Sequence, residues 1–390
     1  MDTIFPTSQP PNLSYWEIET YLANIDLLII GSGIIGLTTA IYSKQSNPNL
    51  KIAVIERGSL PSGGSTKNAG FACFGSASEL LADLQTQSES EVFERVAHRI
   101  EGLKLLRNLV GDAVLGYENC GGFELFTLQD EAIFNQCMSF IANANAQLGH
   151  LTGLTNTYEV ADQKIAAFGF EGVTHLIHNK GEGALHTGKM MHSLTQKAHK
   201  LGIFILTGLG VKTMSESING ATALLENGYE LRSRHIHIAT NGFGQELLPE
   251  LDVKPARAQV LITSPITNLK VNGTFHLEEG YYYFRNVGNR ILLGGGRNLD
   301  FVNETTSKTG LTELVQHKLE ELLRTTVLPN TEYSIAHRWS GVMGLGKTKD
   351  TLVQSISAHI TCAVRMGGMG VALGASIGKK SAEMIFGQKS

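Results

Sequence analysis

The sequence predicts an α/β protein, a doubly wound parallel sheet interrupted by an α+β portion with an antiparallel sheet. Three observations carry this. A short apolar run, Leu27-Leu28-Ile29-Ile30, leads into a glycine-rich turn, a helical stretch and a second strand, the order of a βαβ unit. The stretch 257–300 reads instead as short strands joined by turns, with no helix between them, which is an antiparallel pattern. The C-terminus returns to strand, glycine loop and helix, so the α/β portion is assembled from both ends of the chain.

Taken in order, residues 1–24 are a polar lead in which Ser14 caps a short helix through Tyr21 and Glu17 completes a capping box. Leu27 to Ile30 suits a strand buried on both faces. Ile34 to Lys44 is a helix, ended by the turn Ser46-Asn47-Pro48-Asn49, and Lys51 to Glu56 is the second strand. Residues 58–78 are small, polar and too long for a simple connection, and such loops are usually functional. Helical patterns occupy roughly 79–110 and 130–148, with a strand at Gly121–Leu128 between them. A helix at Thr187–Leu201 precedes a strand at Ile203–Thr207, and the alternating run Arg234–Ala239 ends at Thr240-Asn241-Gly242. Gln259–Thr263, Tyr281–Arg285 and Arg290–Gly294 are the antiparallel strands, and about 311–325 is helical. Thr361–Val364, the loop Arg365–Gly370 and a helix to Phe386 close the chain. The expected division is an extension at 1–24, a dinucleotide-binding domain from 25–78, 160–245 and 336–390, and a substrate domain from 79–159 and 246–335.

Composition narrows the function. Hydrophobic residues make up 42% and charged residues 17%, enough for a sizeable core. A net charge of −4 with no basic stripe argues against nucleic acid. Cys73, Cys120, Cys137 and Cys362 show no CxxC or zinc-type spacing and read as reduced thiols. His175, His178, His186 and His192 also lack ligand spacing, so no metal is expected. The first residues lack the basic and apolar regions of a signal peptide, and no apolar run reaches the roughly 18 residues of a membrane span. A cytoplasmic protein with no transmembrane segment is expected.

The turn Gly31-Ser32-Gly33-Ile34-Ile35-Gly36 follows a strand and opens a helix, and Glu56 ends the next strand 20 residues after Gly36. This is the full context of a Rossmann fingerprint. Gly31 allows the tight turn, Gly33 lets backbone approach a pyrophosphate at the helix N-terminus, and Gly36 allows helix and strand to pack closely. Glu56 is placed to accept from a ribose diol and would repel a 2′-phosphate, which disfavours NADP. The fingerprint lies near the N-terminus and no second one follows, which favours FAD over NAD.

Glu56-Arg57 followed by Gly63-Gly64-Ser65-Thr66-Lys67-Asn68-Ala69-Gly70 resembles the flavin-contacting segment of the D-amino-acid oxidase superfamily, which contains glycine, sarcosine and gamma-glutamylputrescine oxidases. Ala239-Thr240-Asn241-Gly242, Trp339-Ser340-Gly341 and Gly368-Met369-Gly370-Val371-Ala372-Leu373 resemble further segments of it, over about residues 26–386. The resemblance implies FAD held by Gly31, Gly33, Ile34, Ile35, Gly36, Glu56 and Arg57. It adds Ser65, Thr66, Asn68, Ala69, Gly70, Val211, Thr240, Asn241, Gly242 and Gly341, then Gly368, Met369, Gly370 and Val371 at the C-terminal loop. It implies hydride removal from the C–N bond of a small amine or amino acid, then reoxidation by oxygen or a quinone. Some relatives attach the flavin through a cysteine after Trp-x-Gly or a histidine in the first loop. Val342–Lys347 holds no cysteine and 61–70 no histidine, so non-covalent FAD is expected.

The pattern breaks at one point. An arginine soon after Trp-x-Gly often holds the substrate carboxylate in that family, and Met343 or Gly344 stands there instead. Arg285, Arg297 and Arg365 are candidate replacements, because a guanidinium matches a carboxylate with two parallel hydrogen bonds. Tyr281 or Tyr283, which share one face of a strand, is expected in the pocket. Lys347 or Lys349 could reach the flavin through water. A 2-hydroxy-acid or polyol dehydrogenase would need a base such as His337, and a flavin-binding accessory protein without turnover is the reading of another class.

Overall fold

The structure, a computed structural model, describes residues 13–387. The βαβ start is present as strand Ile25–Ile30, helix Ile34–Ser46 and strand Ile52–Glu56. The second strand is buried throughout and the first at all positions but one, which is why both read as unbroken apolar runs. Ile25–Ile30 lies between Ile52–Glu56 and Glu230–Ile238 and is parallel to both. Phe204–Thr207 extends the parallel sheet on one side and Ile360–Val364 on the other. Leu352–Ser355 and the hairpin Val211–Ser217/Gly220–Leu225 join it antiparallel and complete eight strands. Leu27, Ile29 and Val54 pack under the helices, while Leu28 and Ile30 pack on the opposite face against Ala223 and Leu231 of the hairpin side.

The helix after the glycine turn, Ile34–Ser46, and the last helix, Gly370–Phe386, approach closely, with glycines of the second under side chains of the first. A Cβ on Gly374 would fall on Ile34, and one on Gly378 would fall on Thr38. Four residues apart, the two glycines share one helix face. The Thr38 Oγ1 hydroxyl donates to the Gly374 carbonyl at 2.9 Å. On another side of the last helix, Gly102 of helix Glu89–Val110 lies against the Ala372 carbonyl. Val92, Val96, Ile100 and Leu103 share a core with Leu373. Helix Glu89–Val110 therefore packs on the dinucleotide side, although 79–159 was expected in the substrate domain. Its apolar spacing announces a buried face but not the partner of that face.

The antiparallel sheet also has eight strands, in the order Ile335–Leu345, Lys254–Thr263, Arg290–Gly295, Tyr282–Val287, Thr274–Leu277, Gly122–Thr127, Val173–Asn179 and Tyr158–Val160. Its two inserted pieces meet where Thr274–His276 pairs parallel with Gly122–Glu124. Two members correct the expected boundaries. Val173–Asn179 was grouped with 160–245, and its two histidines disguise the strand alternation. Ile335–Leu345, grouped almost wholly with 336–390 and given no element from sequence, pairs with Lys254–Thr263 over its whole length.

Ser14 and Glu17 form the expected capping box, but the helix is one turn, Tyr15–Glu17, that widens into a π turn at Ile18–Leu22. Residues 1–12 of the expected extension lie outside the described residues. The loop 58–78 contains a helical turn at Gly64–Lys67, and its Phe71–Ala72 pairs with Gly183–Ala184. Among the described residues, no helix is long and apolar enough to cross a membrane.

The contact between the helices Ile34–Ser46 and Gly370–Phe386 makes a prediction. Gly378→Ala places a methyl against Thr38 in a packed interface, so the unfolding free energy falls by about 1–3 kcal/mol. Thermal or denaturant unfolding measures this, and an unchanged midpoint would contradict the close approach.

Candidate active site

A cavity of about 630 Å³ runs from the Gly31 turn to the antiparallel sheet, within the usual range for ligand clefts. At the first end Gly31, with φ +105, approaches the Ala239 carbonyl too closely for a side chain. The Ile34 amide donates to Ser65 Oγ at 2.9 Å, which fastens the loop onto the helix N-terminus. First-turn amides such as those of Ile35 and Gly36 have no acceptor within the helix. Gly33, Ile34, Ile35 and Ser65 line the cavity there.

Glu56 is buried at the strand end and lines the same space. Its Oε2 accepts from Ser32 Oγ at 2.8 Å and its Oε1 from the Gly58 amide at 3.1 Å. Arg57 lies over the Phe243 ring at 4.0 Å and pairs with Glu246 at 3.0 Å. Arg57, Val211, Thr240 and Asn241 are all in the wall. Thr240 Oγ1 is buried without a partner among the described residues, and such an atom calls for a ligand or water. Asn241, at φ +46, accepts from the Met366 amide at 3.1 Å and so ties this strand end to the C-terminal loop.

Past that tie, Asn68, Ala69 and Gly341 line the cavity from one side and Gly368, Met369, Gly370 and Val371 from the other. Trp339 Nε1 donates to the Lys67 carbonyl at 3.0 Å and holds the return strand on the loop. Gly368, at φ +83, turns the chain into the last helix, whose N-terminus carries partial positive charge.

Four expected cofactor residues shape the site without lining it. Gly36 fits against the Gly31 carbonyl and Gly242 against that of Met343. Gly70, at φ +74, is enclosed by Leu185, Arg285 and Thr187. Thr66 closes its own turn by donating to the Pro61 and Gly63 carbonyls.

Beside the antiparallel sheet, Tyr281 and Tyr283 line the cavity as expected. The two arginines placed with them do not. Arg285 is buried and donates Nη1 to the Gly70 and Leu185 carbonyls, both at 2.8 Å. It clamps the first loop to the sheet. Arg365, at φ +66, bonds Asp252, Thr348 and the Asp350 carbonyl, and so pins the loop after the return strand. Neither has a guanidinium left for substrate. Both positions look right in sequence because Tyr283 and Met366, close by in the chain, line the cavity, but Arg285 turns to backbone carbonyls and Arg365 to Asp252, Thr348 and the Asp350 carbonyl.

Arg297 does line the cavity. Its guanidinium stacks on Phe301 at 4.8 Å, and no carboxylate among the described residues lies within ion-pair distance of it. Burial lowers its pKa, opposed by Tyr281 and Glu304. Met343 lines the wall where the resemblance would put an arginine. Lys349 also lines it but is paired to Asp83 at 2.5 Å, while Lys347 and His337 are exposed and lie outside it.

Sequence reasoning missed Glu79, Arg99 and His276, all in the wall. Glu79 takes an ion pair from Arg99 at 3.2 Å. Burial would raise its carboxyl, but Arg99, Lys349 and His276 hold it below the ordinary value. The alternation in Thr274-Phe275-His276-Leu277 was the available signal for His276. Burial raises the Cys137 thiol to about 12 and that of Cys362 to about 11.

Residues 26–384 match the model of the family described as FAD dependent oxidoreductase, DAO. The chain belongs to that family. The match agrees with the resemblance drawn from the loops. No curated protein matches the oxidoreductase in sequence. Among solved structures it is similar to glycine oxidase from Bacillus cereus, with TM-score 0.74, 15% identity, and 94% of this chain and 96% of that one covered. L-proline dehydrogenase from P. horikoshii gives 0.73, 16%, 94% and 94%. Iminodiacetate oxidase from Chelativorans sp. gives 0.71, 16%, 93% and 96%. At these identities the likeness shows the fold.

FAD is the cofactor of the family, and the site fits it. The unpartnered Thr240 hydroxyl, the glycine turn no side chain could enter and the buried Glu56 carboxylate form one continuous cradle. Glu56→Gln keeps the shape of that cradle and removes its charge. Hydrogen bonds to a charged group are worth about 1.5–3 kcal/mol, so affinity for FAD falls about tenfold to a hundredfold. Titrating apoprotein with FAD and following flavin fluorescence measures it, and an unchanged dissociation constant would rule out contact at Glu56.

Proposed function

We propose that this oxidoreductase oxidises the C–N bond of a small amine or amino acid that carries a carboxylate, with Arg297 as the carboxylate anchor. The observation that carries the reading is the Arg297 guanidinium, which faces the cavity without an anionic partner among the described residues. A desolvated cation in a cleft is costly unless it is paired, and a substrate carboxylate would pair it. Met343 then needs no arginine in its place.

Bound FAD supplies the two-electron acceptor for the hydride. The protein orients. Tyr281 and Tyr283 flank the substrate space, the Phe301 ring lies against the Arg297 guanidinium, and Phe71 packs edge-on to Tyr283 at 5.7 Å. The imine product is hydrolysed by water. His337, the base an alcohol substrate would have used, is exposed and outside the cavity, which favours the amine.

Anaerobic mixing with glycine, L-proline, iminodiacetate, simple amines and 2-hydroxy acids, followed by the loss of flavin colour, tests this. Carboxylate-bearing amines bleach the flavin. If only hydroxy acids do so, the reading fails, and if nothing does, the protein is a flavin-binding accessory. Arg297→Met raises KM for the carboxylate substrates about a hundredfold, the scale of a lost charged hydrogen-bond pair, and leaves the protein yellow. Readmitting oxygen or adding a soluble quinone then identifies the acceptor.

A further inference from the structure

A row of side chains crosses the antiparallel sheet beside the cavity. Strand pairing sets Glu124 opposite His276, and His276 opposite Tyr283. Residues so paired project from one face. His276 and Tyr283 line the cavity and Glu124 does not. Behind His276 lies a second void of about 10 Å³, walled by Glu124, Glu182, Tyr158, Asn179 and His276 itself. That is about the least volume that holds one water. His276 is therefore a wall of both spaces. Its Nε2 is buried and has no partner among the described residues.

Several groups face this imidazole. Glu79 approaches from helix Ala77–Leu84 but is committed to Arg99 and Lys349. Tyr283 stands beside it on the next strand, and Phe71 meets it edge-on at 5.1 Å. Glu124 and Glu182 lie behind, 4% and 1% exposed. Glu124 accepts from Ser76 Oγ at 3.0 Å, the Ser78 amide at 3.2 Å and the Ser78 hydroxyl. Glu182 accepts from the Phe74 and Gly75 amides at 2.8 and 3.0 Å. No ion pair joins either carboxyl to a cation among the described residues. An amide side chain would accept the same backbone bonds with no ionisation to suppress. Two acids in such a place are expensive as anchors and make sense as proton holders.

The chemistry supplies a proton to hold. A small amine arrives as an ammonium ion, and only its neutral form has a nitrogen lone pair to assist hydride loss from carbon. We propose that His276 takes the proton shed by the substrate ammonium and passes it through the water-sized void to the Glu124–Glu182 pair, which keeps it out of the cavity. The inference rests on the amine reading above. The ammonium N–H bond breaks with its electron pair left on nitrogen, and an imidazole nitrogen gains the proton. One carboxylate then takes it, and the imidazole returns neutral. No electrons change hands. His276 touches substrate and is catalytic, whereas Glu124 and Glu182 act through it.

Protonation states agree with this direction of travel. Burial, opposed by Glu79, drops His276 to about 4, so it passes a proton on rather than retaining it. Burial raises Glu124, and burial raises Glu182 to about 8, aided by the Glu79 charge and opposed by the two backbone amides and the nearby Arg99 guanidinium. The pair accepts a proton only when ionised, so turnover rises as pH passes upward through about 8.

The test uses the yellow holoprotein, His276→Asn and Glu182→Gln, with glycine, L-proline and iminodiacetate as probes. In the wild type, kcat/KM shows a limb near the Glu182 ionisation. Both variants keep the flavin, lose that limb and lower kcat/KM about a hundredfold, the usual share of general-base catalysis. In the substrate-free holoprotein, an infrared carboxylic-acid band disappears as pH rises through the same range and is missing from Glu182→Gln. If the three proteins share one pH profile, the amine reading stands and the handover fails. A carboxyl band that does not titrate also overturns it. If none of the three amines reduces the flavin, the amine reading fails and takes the handover with it.

Discussion

The site depends on one contact, the glycine-faced approach of the helix Gly370–Phe386 to the helix Ile34–Ser46. Both helices open onto the cavity, so both N-termini are positive ends aimed at one ligand. Gly374 and Gly378 bring the axes close, and the Thr38 hydroxyl bonds across the gap. A wider spacing would separate the turn at Gly31 from the loop at Gly368, and the cradle would no longer be continuous. The tie from Asn241 to the Met366 amide repeats the same constraint from the third strand end. The cavity is thus walled by the first, middle and last parts of the chain at once.

Around that cradle the two sheets divide the work. The parallel sheet offers backbone and glycine at its strand ends, as suits phosphates and ribose. The antiparallel sheet offers side chains from one face, as suits a small substrate. Arg285 and Trp339 couple them, because each reaches from the antiparallel sheet to the loop 63–70. The loop is therefore clamped between both sheets.

Legibility in sequence followed the kind of constraint involved. The fingerprint, Glu56 and the loop Ser65–Gly70 were readable because backbone geometry dictates residue type there. Tyr283 sits on the strand Tyr282–Val287 as expected, whereas Tyr281 reaches the cavity from the turn before it and not by strand alternation. Arginines 285 and 365 misled, since a long side chain beside a cavity is free to turn toward carbonyls or an acid elsewhere, and only three-dimensional packing decides it. Ile335–Leu345 was not read as a strand because Gly341 and Gly344 weaken the strand signal. His276 went unnoticed because its strand is four residues long and its neighbour in space, Glu124, lies on a distant part of the sequence.

The hydrogen bond from Thr38 to Gly374 spans 336 residues of chain. During synthesis the first βαβ unit therefore emerges with one flank bare, and stays so until Gly374 has been made. The inserted sheet is in the same position, since Gly122–Glu124 must wait for Thr274–His276. Closing such distant pairings is slow and exposes apolar surface meanwhile. Nascent-chain handling, more than final stability, is the burden this topology places on the cell that makes it.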